Sequence, residues 1–416
     1  MSLPSRDAPY RWLFLDLNSY FASVEQQENP DLRGKPVGVV PMDADSTVLI
    51  AASYEAKQFG VRTLTRVGDA KRLCPQIKLV EGNHKTYADY HKRIIQAVES
   101  VVPVDKVCSI DEMRVRLLES EASEDAARTI ALRIKSAISD KVGECMTSSI
   151  GLAPNAFLAK VASDMQKPNG LVLLHPDTMA SQLSKLDLID FCGLNRRMKV
   201  RLNLAGIFTS EDLLKGDRKQ LRAAFGSIVG ERWWYLLRGY DLPEIESTRK
   251  SLGNSHVLPP KTRTREGAFG VLMRLTQKAT ARLRAESLTA GAYAFMARDD
   301  SDRWELAGRC EPTHDTIRFV TILQGAWDEC KIANPSQVAI TFSELVPAVE
   351  TTPSMFDVDN YRSDLSKVVD TLNDKFGRNT ILPAGLMKHR TAAEERIAFQ
   401  KTELFDEGED KPVRRK

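Results

Sequence analysis

The sequence predicts a multidomain protein of the α+β class. With 416 residues, the chain exceeds what one hydrophobic core usually supports and corresponds to two to four domains of about 150 residues each. Apolar runs typical of strands alternate with helical segments over 10–175, a helical stretch with short loops follows at 177–240, and a second mixed segment covers 253–350. The composition, 42% hydrophobic and 28% charged, excludes a disordered, collagen-like or membrane-embedded chain.

The first mixed segment contains the clearest strand and helix patterns. The nearly continuous apolar run 12–17 predicts a buried strand, and Asn18 or Ser19 can cap a helix over 20–27. The turn signal 167–170 (KPNG) ends the segment. The other predicted strands are 36–40, 47–52, 78–81, 104–110, 113–118 and 147–152, and the other helices are 54–59, 84–101, 124–141 and 155–164.

The overall charge does not identify a partner. Lys and Arg number 59 against 56 Asp and Glu, and the resulting net charge of +3 is too small to indicate a polyanion ligand by itself. The N-terminal residues lack the charged head and apolar core of a signal peptide, and no apolar run is long enough to span a membrane. We therefore expect a cytoplasmic protein without a membrane partner.

Three carboxylates at strand ends are the strongest chemical signal. Asp16 ends the first predicted strand, and Asp111 and Glu112 lie at the junction of the strands 104–110 and 113–118. If these strands are neighbours, the acids converge, and hard oxygen ligands indicate Mg²⁺ or Mn²⁺. Two such ions can assist an in-line displacement at phosphorus. For any single acid, a helix N-terminal or solvated turn position remains the better interpretation.

Five short motifs surround these acids. They are 16–25 (DLNSYFASVE), 52–62 (ASYEAKQFGVR), 109–112 (SIDE), 149–160 (SIGLAPNAFLAK) and 167–170 (KPNG). These motifs resemble those of the Y-family (translesion) DNA polymerases, most closely their polymerase IV/kappa-like branch, and they occur in that family's order. The resemblance spans about 10–345.

The resemblance implies four domains and a tail. It predicts a ferredoxin-like palm, a small fingers insertion, a helical thumb with a helix-hairpin-helix and an α/β little finger. A polar segment without periodicity predicts the linker. The predicted bounds are 10–29 and 81–175 for the palm, 30–80 for the fingers, 176–243 for the thumb, 244–252 for the linker, 253–350 for the little finger and 351–416 for a polar C-terminal tail.

The resemblance also assigns the metal ligands and the sugar contact. It implies that Asp16, Asp111 and Glu112, with the Leu17 carbonyl, bind two Mg²⁺ ions, for which Mn²⁺ can substitute. Phe21 stands where the family has a steric gate, a bulky side chain that excludes the 2′-hydroxyl of a ribonucleotide. Without the motif, Phe21 would be interpreted as a core aromatic residue.

Three further residues are candidates for binding a nucleoside triphosphate. A phenol, Tyr54, and two ammonium groups, Lys57 and Lys167, can bind phosphate charge. The sequence departs from the family's common pattern, which has Arg at Lys57, Ser or Thr at Ala51 and a second Asp at Asn18. Taken alone, either lysine would more often be an exposed, solvated side chain.

Two regions are candidates for binding DNA phosphates. Segment 190–198 resembles a helix-hairpin-helix, in which Gly193 and Arg196 are the candidate contacts, although Asn195 replaces a usual glycine. The segment 249–284 contains nine basic residues and only one acidic residue. This charge segregation suits a phosphate track rather than an ordinary solvated helix face. The nine are Arg249, Lys250, Lys261, Arg263, Arg265, Arg274, Lys278, Arg282 and Arg284, of which the first five are the preferred contacts.

These observations predict a template-directed, low-fidelity DNA polymerase that adds deoxynucleoside triphosphates to the primer of a primer-template DNA during translesion synthesis. We expect a monomer, and Gln400–Phe405 loosely resembles a sliding-clamp-binding peptide. The main alternative is a non-catalytic, polymerase-like scaffold that binds DNA or a clamp. A nucleotide cyclase on a similar sheet is a second alternative, but it leaves the helical and basic regions unexplained.

Overall fold

The structure is a computed structural model that describes residues 9–42, 44–245, 249–351, 357–377, 380–382, 384 and 387. These residues fall into two compact units, which divide after Ile245. Unit 1 contains the described residues up to Ile245, and unit 2 those from Arg249 onward.

Unit 1 is a mixed unit of eight strands and eleven helices within the described ranges. Its strands are β1 (Trp12–Leu17), β2 (Val37–Val40), β3 (Ala51–Ala52), β4 (Lys78–Glu81), β5 (Lys106–Val107), β6 (Glu112–Arg116), β7 (Ser148–Ala153) and β8 (Leu171–Leu173). Its helices are α1 (Tyr20–Glu28), α2 (Tyr54–Gln58), α3 (Val67–Leu73), α4 (His84–Glu99), α5 (Glu124–Lys141), α6 (Ala156–Met165), α7 (Met179–Leu183), α8 (Arg196–Leu204), α9 (Ser210–Lys215), α10 (Arg218–Phe225) and α11 (Ile228–Leu236).

The main sheet of unit 1 has the strand order β5-β6-β1-β7-β8. Its central strand β1 is antiparallel to both β6 and β7, and all six of its side chains are buried. A strand covered on both faces needs a continuous apolar run, which is why the sequence predicts β1 well. A smaller sheet with the order β3-β2-β4 carries α2 and α3.

Helix α6 packs on β1 and β7. It begins after Asn155, whose side chain accepts the Leu158 N–H at 2.8 Å and caps the helix. A Cβ atom added to Gly151 in β7 would lie 2.1 Å from the Ala159 carbonyl oxygen. The absence of a side chain at Gly151 therefore lets α6 approach the sheet closely and brings its polar residues under the end of β1.

Unit 2 is an antiparallel sheet with helices packed against it. The sheet order is β11-β10-β12-β9, and a core that includes Phe295, Phe319 and Phe342 joins it to the helices. The strands are β9 (Ser251–Val257), β10 (Leu288–Arg298), β11 (Arg303–Thr313) and β12 (Gln337–Pro347), and the helices are α12 (Arg265–Ala285), α13 (Thr316–Ala326) and α14 (Asp357–Phe376). Within the described ranges, every helix is too short or too polar to cross a membrane.

Several predicted bounds are wrong. The strand predicted at 47–52 is reduced to Ala51–Ala52, with a single bridge between Val48 and Arg66, and the strand at 104–110 is only Lys106–Val107. Periodicity did not predict the three-residue strand β8, which pairs in parallel with β7.

Two corrections concern the second half of the chain. The predicted linker 244–252 extends too far, because Ser251 and Leu252 belong to β9, where Leu252 is buried. The segment predicted as a polar tail from 351 contains the 20-residue helix α14. Asp370 of this helix forms a bidentate ion pair with Arg284 of α12, and this pair attaches α14 to the unit.

Candidate active site

The three predicted acids meet at the end of β1. Asp16 lies directly opposite Glu112 in the β1–β6 register, and the Leu17 N–H donates to the Asp111 carbonyl at 2.9 Å. Asp16 is only 6% exposed, so its charge is largely removed from water. The convergence that the sequence predicted is confirmed.

Two lysines neutralise this end of the sheet. Lys160 Nζ lies 2.6 Å from Asp16 Oδ2 and 2.8 Å from Glu112 Oε1, and Lys167 Nζ lies 2.8 Å from Asp16 Oδ1. Asp164 contacts both lysines, at 3.1 and 2.9 Å. We call these five residues, Asp16, Glu112, Lys160, Asp164 and Lys167, the cation–acid cluster.

Burial and the close charges at the end of β1 shift the pKa values of Asp111, Glu112 and Lys160. Burial raises the pKa of Asp111 against the hydrogen bond from Ser109, and the charge of Asp16 raises it further. Burial also raises the pKa of Glu112, although Lys160 opposes this. For Lys160, burial alone would lower the pKa, but the surrounding acids, Asp16 foremost, raise it well above its ordinary value. The site therefore requires cationic charge to keep its carboxylates ionised.

The donor set fits a divalent cation. Asp16, Asp111, Glu112 and the Leu17 carbonyl offer only oxygen, the ligand that Mg²⁺ and Mn²⁺ prefer. In the described part of the chain, no three His, Cys, Asp or Glu side chains are grouped so that they could hold a metal as they stand. Lys160 Nζ lies between Asp16 and Glu112, where its ammonium group supplies positive charge.

A cavity of about 210 Å³ opens beside the acids. It brings together residues that are far apart in sequence, from the ends of β1, β3 and the turn after α6. Every metal, gate and triphosphate candidate except Glu112 lines it, together with six residues not predicted as site residues. The predicted residues are Asp16, Leu17, Phe21, Tyr54, Lys57, Asp111 and Lys167, and the others are Ser19, Tyr20, Ile50 and Thr63, with Ala51 and Ala52 also in the wall.

Phe21 is fixed in place by an aromatic stack. Its ring lies 4.3 Å from that of Tyr87, centroid to centroid, at an interplanar angle of 16°. The Tyr87 hydroxyl donates to Glu25 Oε1 at 2.5 Å, and the Tyr20 hydroxyl donates to the Tyr87 carbonyl at 2.6 Å. Phe21 is only 3% exposed and also lines the cavity. It is therefore both a core aromatic residue and part of the cavity wall.

The triphosphate candidates come from more than one element of the structure: Tyr54 and Lys57 from α2, and Lys167 from the turn after α6. Lys57 Nζ lies 4.1 Å from the centre of the Tyr54 ring and donates to Ser19 Oγ at 2.7 Å. Burial lowers the pKa of Lys57, and the positive charge of Lys167 lowers it further. Two ammonium groups that repel each other in one cavity provide a place where an anion is stabilised.

Sequence reasoning missed Lys160 and Asp164 as site residues. Both lie on the predicted helix 155–164, four residues apart and hence on one face, just before the turn that carries Lys167. That spacing was the available signal. The hydrogen bonds of Asn18 could not be predicted from its neighbours in sequence, because its partners Thr147, Ser149 and Asn169 lie far along the chain.

The predicted DNA contacts in unit 1 are accessible. Gly193 and Arg196 are both exposed, and Gly193 has a φ of 92°, which favours glycine. Asn195 caps α8 by accepting the Met198 N–H at 2.9 Å. The departure from the family's glycine thus serves the start of this helix.

The basic run of unit 2 is less uniform than its sequence indicates. Lys250 and Lys261 are exposed, whereas Arg263 donates to the Leu258 carbonyl at 2.9 Å. Arg249 pairs with Glu286, and Arg265 Nη2 lies 2.9 Å from Asp328 Oδ1.

Two members of the nine-residue track are wrong as phosphate contacts. Arg274 is 7% exposed, which leaves little of it for DNA. The Arg284 side chain is 8% exposed and bonds Asp370, the His314 carbonyl and Thr316. Both side chains are buried within unit 2.

Comparisons with known proteins identify the family of this chain. The impB/mucB/samB family model matches residues 15–164, and the model of that family's C-terminal domain matches 249–355. DNA polymerase IV of Moorella thermoacetica is 30% identical over 381 residues, which cover 89% of this chain and 94% of the relative. DNA polymerase IV of Neisseria meningitidis serogroup B is 33% identical over 266 residues, covering 64% of this chain and 82% of the relative.

Solved structures show the same fold. A chimera of the Y-family DNA polymerases Dbh and Dpo4 has a TM-score of 0.66 at 24% identity and covers 80% of this chain and 99% of its own. A post-insertion binary complex of Dbh DNA polymerase has a TM-score of 0.52 at 25% identity with the same coverage.

Together with the fold, these relatives show that the chain is a DNA-directed DNA polymerase. More narrowly, the chain belongs to the impB/mucB/samB family, in the DNA polymerase IV-like branch of the Y-family polymerases.

Proposed function

We propose that the chain extends primers across damaged template bases, with low fidelity, by two-metal-ion transfer of a deoxynucleotide to the primer 3′ end. The observation that carries the proposal is the cavity in which Asp16, Asp111, Lys167, Lys57 and Phe21 meet. Phosphoryl transfer needs positioning and charge neutralisation more than covalent catalysis, and this cavity offers both.

The chain's own residues divide the work of binding. Lys57, Lys167 and Tyr54 are candidates for binding the triphosphate, since they line the same cavity as Asp16 and Asp111. Asp16, Asp111, Glu112 and the Leu17 carbonyl would hold the cations. Bound there, two divalent ions supply the positive charge that stabilises the attacking and leaving oxygens.

Low fidelity follows from the size of the residues near the nascent base pair. Ala51 and Ala52 form part of the cavity wall where larger side chains would fit a correct pair more closely. A loose wall discriminates less between correct and incorrect pairs by shape. It also leaves room for an altered template base.

The remaining assignments follow the family. We propose that 10–29 and 81–175 form the palm, 30–80 the fingers, 176–243 the thumb and the β9–β12 unit the little finger. The proposed DNA contacts are Gly193, Arg196, Arg249, Lys250, Lys261, Arg263 and Arg265. The possible clamp-binding peptide Gln400–Phe405 lies outside the described residues.

Primer extension with Mg²⁺, on an undamaged template and on one with an abasic site, tests the proposal. We expect the wild type to extend both primers, and Glu112→Gln or Asp111→Asn to reduce extension at least about a hundredfold, since each removes charge from the metal site. Primer-template affinity should remain within about twofold of wild type, because neither residue belongs to the proposed phosphate contacts.

Glu119→Gln is the matched control, because Glu119 is an exposed acid of unit 1 that belongs neither to the cluster nor to the cavity lining, and it should extend like wild type. A Glu112→Gln protein that retains full extension would remove the metal-site assignment. A wild type that binds primer-template DNA but never extends it would instead support the non-catalytic scaffold.

A further inference from the structure

Asn18 is a buried amide in the turn between β1 and α1, two residues after Asp16, and only 1% of it is exposed. Its N–H donates to the Thr147 carbonyl at 2.9 Å, and its own carbonyl accepts the Ser23 hydroxyl at 2.7 Å. With the backbone fixed on both sides, the direction of the Asn18 side chain is determined by the fold.

The side-chain amide of Asn18 bonds the turn 167–170 and the strand next to it. Its Oδ1 accepts the Asn169 N–H at 2.7 Å and the Thr147 hydroxyl at 3.2 Å, and its Nδ2 donates to Ser149 Oγ at 3.0 Å. Ser149 Oγ in turn accepts the Gly170 N–H at 3.2 Å. Two consecutive N–H groups of the turn therefore depend, directly or through Ser149, on one amide.

The turn is attached on its other side by a lysine of α5. Lys135 Nζ donates to Asn169 Oδ1 at 2.8 Å and also to the Ser148 carbonyl. Asn169 has a φ of 56°, in the left-handed region, so its conformation requires support from its surroundings. Asn18 binds its backbone and Lys135 binds its side chain.

This attachment reaches one of the triphosphate candidates. Lys167, the first residue of the turn, places its Nζ 2.8 Å from Asp16 Oδ1 and 2.9 Å from Asp164 Oδ1. Asn18 thus bonds the turn that carries this lysine.

We propose that Asn18 is a positioning residue that holds the turn 167–170 and thereby sets Lys167 for binding the incoming triphosphate. The inference rests on the proposed function, since it names what orients the nucleotide-binding groups of that same site. A neutral amide suits the task, because it donates and accepts at once and adds no further negative charge beside Asp16.

Three variants separate the hydrogen bonds from the charge. Asn18→Leu has a similar shape but makes none of the side-chain bonds. Asn18→Asp keeps the acceptor for the Asn169 N–H, and the Ser149 hydroxyl can turn to donate to it while still accepting from Gly170. Lys135→Met removes the support from the other side of the turn without altering Asn18.

Hydrogen–deuterium exchange of the full chain tests the positioning directly. We expect Asn18→Leu to accelerate exchange at 167–170 by about tenfold, in line with the loss of a buried hydrogen bond, with Lys135→Met intermediate and Asn18→Asp close to wild type. Unchanged exchange in Asn18→Leu would overturn the proposal. If Asn18→Leu fails to fold, Asn18→Ala, which also makes none of the side-chain bonds, takes its place.

Steady-state primer extension then tests the consequence for the nucleotide. We expect Asn18→Leu to raise the KM for the deoxynucleoside triphosphate by about tenfold and to change kcat by less than about twofold, because binding groups and not metal ligands are displaced. A loss confined to kcat would overturn the role. A wild type without extension would refute the proposed function, while the exchange experiment would still decide whether Asn18 positions the turn.

Discussion

Lys160 and Lys167 explain how carboxylates are kept together at one end of a buried strand. Like charges in a site of low polarity raise one another's pKa, and an unpaired buried charge is strongly unfavourable. Lys160 contacts Asp16, Glu112 and Asp164, so each carboxylate of the cation–acid cluster has a cationic partner in the protein itself. The negative charge of the cluster is therefore largely balanced within the protein.

We propose that selection against ribonucleotides depends on the ring of Phe21 and on the ring of Tyr87 stacked against it. We expect Phe21→Ala to raise ribonucleotide incorporation relative to deoxynucleotide incorporation by at least about a hundredfold, because the space for a 2′-hydroxyl is no longer filled. The measurement is the ratio of kcat/KM for a ribonucleoside and the matching deoxynucleoside triphosphate. Phe59→Ala, which truncates a ring that is 42% exposed, should leave the ratio unchanged.

Substitutions of Tyr87, which stacks on Phe21, test the same prediction about ribonucleotide discrimination. Tyr87→Phe keeps the stack on Phe21 and should retain most of the discrimination, whereas Tyr87→Ala removes the support and should weaken it. Equal ratios for wild type and Phe21→Ala would show that the sugar is selected elsewhere.

The sequence identified the residues whose signal is local. Asp16 ends an apolar run, and Asp111 and Glu112 share a strand junction, so their convergence needed only two neighbouring strands. Asn18 was noted only as a departure from the family. Its function depends on Ser149 and on turn 167–170, more than a hundred residues away, and no local pattern can encode such a contact.

At the scale of elements, the packing of α6 on β7 places Lys160 and Asp164 beneath Asp16. Gly151 permits this packing, because a Cβ atom there would lie 2.1 Å from the Ala159 carbonyl oxygen and 2.4 Å from the Ser163 nitrogen. Both atoms belong to the helix backbone and cannot rotate away. The position of the cation–acid cluster thus depends on a glycine that is not part of it.

We expect Gly151→Ala to lower the free energy of unfolding by about 1–3 kcal/mol, as overpacking in a core does, and also to impair primer extension at temperatures where the protein remains folded. Urea unfolding followed by circular dichroism, with extension assays at a low denaturant concentration, measures both effects. The double effect is expected because α6 must move away from β1, taking Lys160 with it.

Gly68→Ala is the control. Gly68 lies in α3 of the same unit, and an added Cβ would meet Asp45 at an ordinary 3.7 Å, so the substitution should be neutral or slightly stabilising through its helix propensity. If Gly151→Ala were as stable and as active as Gly68→Ala, the close approach of α6 would not be what positions the cluster.

Elements with strong periodicity were predicted well, and those that depend on distant partners were not. Helix α5 has the predicted bounds, Glu124–Lys141, because its buried apolar face follows helical spacing. Strands β3 and β8 are too short to have a period. Helix α14 lies in a polar segment, and its ion pair from Asp370 to Arg284 spans 86 residues.

At the scale of the whole molecule, a net charge of +3 conceals how the basic residues are used. The sequence groups nine of them between 249 and 284, but the structure buries Arg274 and Arg284 within unit 2. Lys250 and Lys261 remain exposed. Counting charges along a sequence therefore overestimates a phosphate-binding surface, because it cannot separate structural arginines from solvent-facing ones.

The salt dependence of DNA binding tests this distinction. Each phosphate contact that a protein loses reduces the slope of log affinity against log salt concentration by about one, because fewer counterions are released. We expect Lys250→Gln with Lys261→Gln to reduce the slope by about two and to weaken binding equally for unrelated template sequences. Lys331→Gln, which removes another exposed charge of unit 2 whose ammonium group bonds the Asp328 carbonyl, should leave the slope unchanged. Fluorescence anisotropy titrations from low to moderate salt give these slopes. An unaltered slope in the double variant would mean that DNA does not contact this basic run through its exposed lysines.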